Sequence, residues 1–195
     1  MQSTARVGSG VVSLFQLGAQ IRYALRVRID PRVTVLAALH SVQGAEKRIG
    51  NVYDPNYAAL LKKLIASEGV SFIFEEASGL GPTIAEKLAL EQFAFGHYVD
   101  IDPARSERVD YDIPASSTEP NMIGALPSVS FAHWQILNAH AKREELWVKR
   151  MQQRDFTSAL AICGLVHLLS FAFRLQSVGF SVQAISYANW QRHPV

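Results

Sequence analysis

The sequence predicts an α/β fold: a mostly parallel sheet with helices on both faces, built as a single compact domain. Three observations carry that expectation. Short apolar runs rich in β-branched residues recur without polar alternation, as in strands covered on both faces. Segments with apolar residues at helical spacing separate them, which is the pattern of βαβ units and implies right-handed crossovers. A chain of 195 residues, 49% hydrophobic and 18% charged, is long enough for one well-buried core and short for two.

The elements follow in order. Residues 1–30 are apolar in places, but Gln16, Gln20, Arg22 and Arg26 interrupt any stretch that would cross a bilayer. Each charge there would cost about 2.5–3.5 kcal/mol at mid-membrane, and no small-residue cleavage motif follows a clean apolar core. The stretch reads as a packing helix or an N-terminal extension, with the α/β domain over 31–195. "RVTVLAAL", Arg32 to Leu39, is a central strand. "NYAALLKKLIASEG" places Tyr57, Leu60, Leu61, Leu64 and Ile65 on one helical face and stops at Gly69. "VSFIFEE" is the second strand. "GPTIAEKLALEQFAFG" is a helix with Pro82 at its first position, Thr83 and Glu86 in capping spacing and Gly96 past its end. "HYVDID" is the third strand.

From Pro103 to Pro127 the pattern is lost in a stretch rich in Pro, Ser and Asp, a long loop near 103–127 that reads as a lid, a binding loop or disorder. Val129 to Arg154 is a long helix, with Phe131, Trp134, Leu137, Ala141 and Trp147 among its apolar positions. "SALAICGLVH" is the next buried strand, "LLSFAFRLQSVG" its helix and "FSVQAIS" the last strand.

Composition removes some function classes. Lys+Arg 19 against Asp+Glu 17 leaves a formal charge of +2, and the basic residues are scattered, so no nucleic-acid partner is expected. A single cysteine excludes an intrachain disulfide framework and a multi-cysteine zinc site. The expected setting is cytoplasmic, with no membrane partner.

Ionisable groups gather where the predicted strands end. The first ends at His40, the second at Glu75 and Glu76, the third at Asp100 and Asp102, the later one at His167. Ligands of parallel α/β sheets bind beyond the carboxyl ends of the strands, so four elements deliver titratable side chains to one rim. Alternation puts Phe72, Phe74 and Glu76 on one face and Ile73 and Glu75 on the other. One glutamate therefore enters the site while the other caps a helix or pairs with a cation, and alternation does not choose between them. A lone histidine at a strand end is more often a surface or hydrogen-bonded residue. Two of them, closing the matching tetrads "AALH" and "GLVH", point to function.

"AALH", "FEE" and "CGLVH" resemble the spaced motifs of the TraB/TIKI and erythromycin-esterase-like (ChaN-like) superfamily: a Gly-x-x-His near the start, an acidic motif after the next strand and a second Gly-x-x-His near the end. The similarity runs in order from Val33 to Gly179, with Ala37 in place of the first motif's glycine. The family also carries an arginine in a helix before the second histidine motif, a role that "KREELW" would give to Arg143. Members include metal-dependent peptidases, esterases with a general-base histidine, and proteins without established catalysis.

Two histidines and a carboxylate, here His40, His167 and Glu76, can hold a divalent metal (Mn, Zn or Co) with an open water position, leaving the second glutamate as base. Without a metal, a histidine oriented by Glu75 or Glu76 can itself take a proton from water. Arg143 would bind an anionic substrate group or a developing oxyanion; its bland alternative is a solvated helix face. The expectation is a small hydrolase-like domain, esterase- or peptidase-like, acting on a small molecule or peptide with His40, Glu75, Glu76, Arg143 and His167. The alternative is a non-catalytic module of the same fold that binds a small ligand or metal.

Other residues carry less. Cys163 lies in an apolar run and reads as a small buried hydrophobe. His133 and His140 are about 10.5 Å apart along a helix, too far to share one metal. "GLGPT" lacks the Lys-Ser/Thr of a phosphate-binding P-loop. Arg105 and Arg108 belong to a lid or to an ordinary charged loop.

Overall fold

A computed structural model describes residues 30–45, 53–77, 81–93, 96–113 and 129–188, with the backbone alone at 105 and 129–136. The elements are β1 (Arg32–Ala38), α1 (His40–Gln43), α2 (Pro55–Ser67), β2 (Phe72–Glu75), α3 (Ile84–Gln92), β3 (Tyr98–Asp100), α4 (Arg105–Asp110), α5 (Val129–Gln152), β4 (Ser158–Gly164), a 3₁₀ turn (Leu165–His167), α6 (Leu168–Ser177) and β5 (Ser181–Ser186). The readings of residues 1–29 and of the loop beyond Ile113 lie outside the described residues, as do the side chains of Arg105, Phe131, His133 and Trp134.

The five strands form one all-parallel sheet in the order β3-β2-β4-β1-β5. Alternation along each strand sends its apolar residues into two cores. Leu36, Ile73 and Ile162 meet Tyr57, Leu61 and Leu64 of α2 and Leu88 of α3 on one face. Val35, Phe74 and Ala161 meet Trp147 and Met151 of α5 and Phe171 and Leu175 of α6 on the other. The sheet is thus covered on both sides, which is why its central strands lack polar alternation.

Local chemistry sets the helix ends. Asp54 caps α2 by accepting from the backbone N–H groups of Asn56 (2.9 Å) and Tyr57 (3.3 Å), with Pro55 at the first helical position. Thr83 caps α3: its hydroxyl accepts from Glu86 N–H at 3.0 Å while the Glu86 carboxylate accepts from Thr83 N–H at 3.4 Å. Because that cap needs an extended backbone, the helix starts at Ile84, and Pro82 precedes the cap instead of opening the first turn. The helix stops at Gln92, short of Gly96, whose φ of +102° is a backbone state that glycine adopts without strain.

Three further boundaries differ from the sequence reading. β4 ends at Gly164, and "LVH" continues as a 3₁₀ turn, so His167 stands three residues beyond its strand. β3 is shorter than "HYVDID" because the Asp100 carboxylate accepts from Asp102 N–H (2.9 Å) and Ala77 N–H (3.2 Å), turning the chain out of the ladder. The stretch after Pro103 is not structureless: α4 forms at Arg105–Asp110, with Glu107 reaching back to accept from Ala104 N–H at 2.7 Å.

β1 and β4 are neighbours, yet the chain leaves them over opposite layers: from β1 by α2 towards β2, and from β4 by α6 towards β5. Such a switch point opens a crevice at the carboxyl ends of the two strands. In register, Ala38 of β1 lies beside Gly164 of β4, so the segments carrying His40 and His167 start from the same level of the sheet. Among the described residues no helix is long and apolar enough to cross a membrane.

Candidate functional site

His40 opens α1 immediately after the extended residue Leu39. Its Nδ1–H donates to the buried Gln43 amide oxygen at 3.0 Å, one helical turn on. This leaves Nε2 facing the Glu76 carboxylate, 3.6 Å from Oε1. The imidazole is 42% exposed, whereas the carboxylate it faces is 2% exposed.

Glu76 continues the parallel ladder for one bond past β2, its N–H donating to Ile162 O at 2.9 Å. Strand alternation then aims its side chain into the α5–α6 layer. Its Oε2 accepts from Gly164 N–H at 2.8 Å, and its Oε1 accepts from the Arg143 guanidinium. A Cβ at Gly164 would lie 3.4 Å from both Glu76 Oε2 and His40 Nε2. Glycine there keeps the space between carboxylate and imidazole free of side chain.

His167, 2% exposed, comes from the other side of the crevice. Its Nδ1–H donates to Glu144 Oε1 at 2.8 Å, and its Nε2 stands 3.9 Å from Glu76 Oε1. The ring meets Trp147 edge-on at 4.8 Å and His140 at 4.5 Å. Burial, then the nearby charges of His167 and Arg143, hold the His140 imidazole below its usual range. Glu144 also accepts from Ser170 Oγ (2.7 Å) and Arg174 Nε (3.0 Å). Burial raises this carboxyl, but the bonds from His167, Ser170 and Arg174 outweigh it and leave the group below the ordinary range.

Arg143 of α5 is 4% exposed and lies over the Trp147 ring at 5.2 Å. Besides Glu76 it holds Asp102 Oδ1, through Nε at 3.0 Å and through an Nη at 2.7 Å. Asp102 Oδ2 in turn accepts from the buried Arg108 at 2.7 Å. The guanidinium thus serves carboxylates of the protein: a charged chain, Arg108–Asp102–Arg143–Glu76, runs under the two imidazoles. Arg108 sits inside this chain and not over the site.

Glu75 points the opposite way, into the layer of α2 and α3. Its Oε2 accepts from Thr83 Oγ at 2.5 Å and from Tyr98 Oη at 2.9 Å. Full burial outweighs these two bonds, and with the nearby Asp100 and Glu86 charges it pushes the carboxyl up from 4.5 to about 7.

The fold therefore gathers His40, Glu76, Arg143 and His167 in one place and puts Glu75 on the other side of the sheet. Sequence reasoning missed Gln43 and Glu144 as members of the centre and marked Gly164 only as the glycine of the second histidine motif. Gln43 had a usable signal, three residues after His40 on one helical turn. Glu144 had none, since it is 23 residues from the histidine it holds.

Among the described residues no three His, Cys, Asp or Glu side chains form a set that could hold a metal ion. His40, Glu76 and His167 approach one, each histidine fixed through Nδ1 in the manner of a metal ligand. Yet Glu76 Oε1, the oxygen nearest both rings, already bears the Arg143 guanidinium. Two like unit charges 4 Å apart repel by about 4 kcal/mol near a protein surface, and a dication by more. As packed here, the trio does not fit a divalent ion.

The chain matches no family model, no curated protein and no solved structure. Fold and site define it as a parallel α/β domain with an imidazole–carboxylate–guanidinium centre at the carboxyl edge of its sheet.

Proposed function

We propose that this domain is hydrolase-like and activates water at His40 for attack on an ester or amide carbonyl of a small molecule or peptide. The supporting observation is the convergence of two imidazole Nε2 atoms, each fixed through its Nδ1–H, on one oxygen of Glu76. His40 is the solvent-reachable member. A water donating one hydrogen to its Nε2 and the other to Glu76 would pass the first proton to the imidazole as its oxygen attacks, and the leaving group would take that proton back. Arg143 is a positioning residue that holds Glu76 in place, and Glu144 does the same for His167. The spaced motifs point the same way, since ester hydrolysis by a general-base histidine occurs in the superfamily they resemble. A cytoplasmic setting belongs to the same proposal and rests on the single, buried cysteine.

The test is hydrolysis of aryl esters and aryl amides by the full chain at pH 8, with EDTA or with added Mn, Zn or Co. The expected result is turnover unaffected by EDTA that falls about 10²- to 10⁴-fold in His40→Ala. Turnover that needs added metal would require Arg143 to leave Glu76 and would replace the metal-free scheme. Full activity in His40→Ala would overturn the assignment. Ligand binding without turnover would establish the non-catalytic alternative.

A further inference from the structure

At the carboxyl edge of the sheet, three buried side-chain atoms lack hydrogen-bond partners among the described residues: Gln43 Nε2, Tyr57 Oη and Glu75 Oε1. All three side chains belong to fully buried residues, contributed by α1, α2 and β2 at the carboxyl edge. Several observations tie them together. The backbone of Gly44, next to Gln43, pairs with Thr83, and the Thr83 hydroxyl donates to Glu75. After burial, the Glu75 charge is the largest influence raising the Tyr57 hydroxyl. Their chemistry is complementary, since the amide N–H donates, the carboxylate accepts and the phenol does either. Such a set matches the two to four polar partners of a buried water.

We propose that Glu75 is a positioning residue for His40: through a buried water shared with Tyr57, it holds the Gln43 amide with its NH2 inward and its oxygen on His40 Nδ1–H. An amide has one donating and one accepting end, and the end facing Nδ1 decides the tautomer. Ionised Glu75 and the Tyr57 oxygen take the water's two hydrogens, which leaves only its lone pairs for the amide and so selects the amide's NH2. If the amide turned over, its NH2 would face Nδ1, the ring proton would move to Nε2, and the lone pair facing Glu76 would be gone. The groups around Glu75 are Thr83 and Glu86 from α3, Tyr98 and Asp100 from β3, and Tyr57 from α2, and none of these is a cation. None of these groups therefore offers Oε1 a cation in place of the water. This inference rests on the proposed role of His40 for its consequence, though not for its test.

The experiment is a long-range 1H–15N spectrum of the full chain, labelled in its histidine rings, at pH 8.5, with His40 assigned from His40→Ala. The wild type should show His40 mainly as the Nδ1–H form. In Glu75→Gln the side-chain oxygen must stay where Thr83 and Tyr98 both donate, so its NH2 replaces Oε1 and turns an acceptor into a donor. The Nδ1–H to Nε2–H ratio of His40 should then fall at least threefold, while that of His167, held by Glu144, stays unchanged. An unchanged His40 ratio in folded Glu75→Gln, or a wild-type His40 protonated on Nε2, overturns the proposal. Should Glu75→Gln fail to fold, Tyr57→Phe decides by the same threefold criterion. The spectra need no turnover, so an inactive protein whose His40 tautomer follows Glu75 would defeat the hydrolase reading and leave this one standing.

Discussion

Glu75 gives the fold a pH dependence of unusual sign. Its carboxyl is fully buried and titrates at about 7, against 4.5 for an exposed glutamate. Between those values the folded chain keeps a proton that the unfolded chain releases, so stability falls as pH rises. Each pH unit is worth about 1.4 kcal/mol, which makes ionised Glu75 cost the fold about 3 kcal/mol by pH 8. Glutamine keeps the shape and still accepts from Thr83 and Tyr98, but carries no charge to bury. The stability advantage of Glu75→Gln over wild type should therefore widen by about 2–3 kcal/mol between pH 5 and pH 8. Other titrating groups cancel in the difference between the two chains. Urea denaturation read by tryptophan fluorescence at several pH values measures it, and a gap in melting temperature growing by about 4–12 °C over that range is the thermal equivalent. A difference that stays flat within about 0.5 kcal/mol, or that narrows as pH rises, would refute the assignment of a buried, ionising carboxyl at this position.

Two further substitutions probe the opposite side of the sheet. Arg143→Met removes the guanidinium from Glu76 while Asp102 retains Arg108, and stranding one buried carboxylate should cost about 3–5 kcal/mol in denaturant titration; a loss under about 1 kcal/mol would mean that Glu76 does not depend on the pair. Gly164→Ala puts a methyl 3.4 Å from Glu76 Oε2 and from His40 Nε2, an ordinary contact distance. The fold should survive within about 1 kcal/mol while ester turnover drops at least about tenfold, because the methyl takes the water's place; full turnover in this variant would put the nucleophile elsewhere.

Much of the fold was legible because its signals are local. The Thr83/Glu86 pair sets a helix start through contacts within four residues, the spacing of Tyr57 to Ile65 declared another helix, and the apolar runs of β1 and β4 declared covered strands. "GLVH" continues the apolar run of β4, and apolarity cannot distinguish a strand from the 3₁₀ turn that follows it. α4 is six residues long and largely charged, and its stability comes from Glu107 and the buried Arg108, which no periodicity displays. At the site, strand ends nominated His40, His167 and the two glutamates, and alternation placed the glutamates on opposite faces. Which face holds the centre depends on where α5 carries Arg143, a tertiary fact. Glu144 was invisible for the same reason, since only the packing of α5 against α6 brings it to His167.

The two adjacent glutamates pose one problem with two solutions. Glu76 meets a guanidinium and a backbone N–H, so its charge is compensated where the imidazoles converge. Glu75, one residue earlier and across the pleat, meets only hydroxyls from Thr83 and Tyr98. For packing alone an amide would serve those hydroxyls equally well and spare the fold a buried charge, so stability does not account for a carboxylate there. What distinguishes ionised glutamate from glutamine at Oε1 is an oxygen that accepts and does not donate. The group placed to respond to that difference is Gln43, whose other end holds His40. The destabilising charge thus lies behind the imidazole that faces solvent, where a strictly accepting atom has a consequence for the site that packing does not supply.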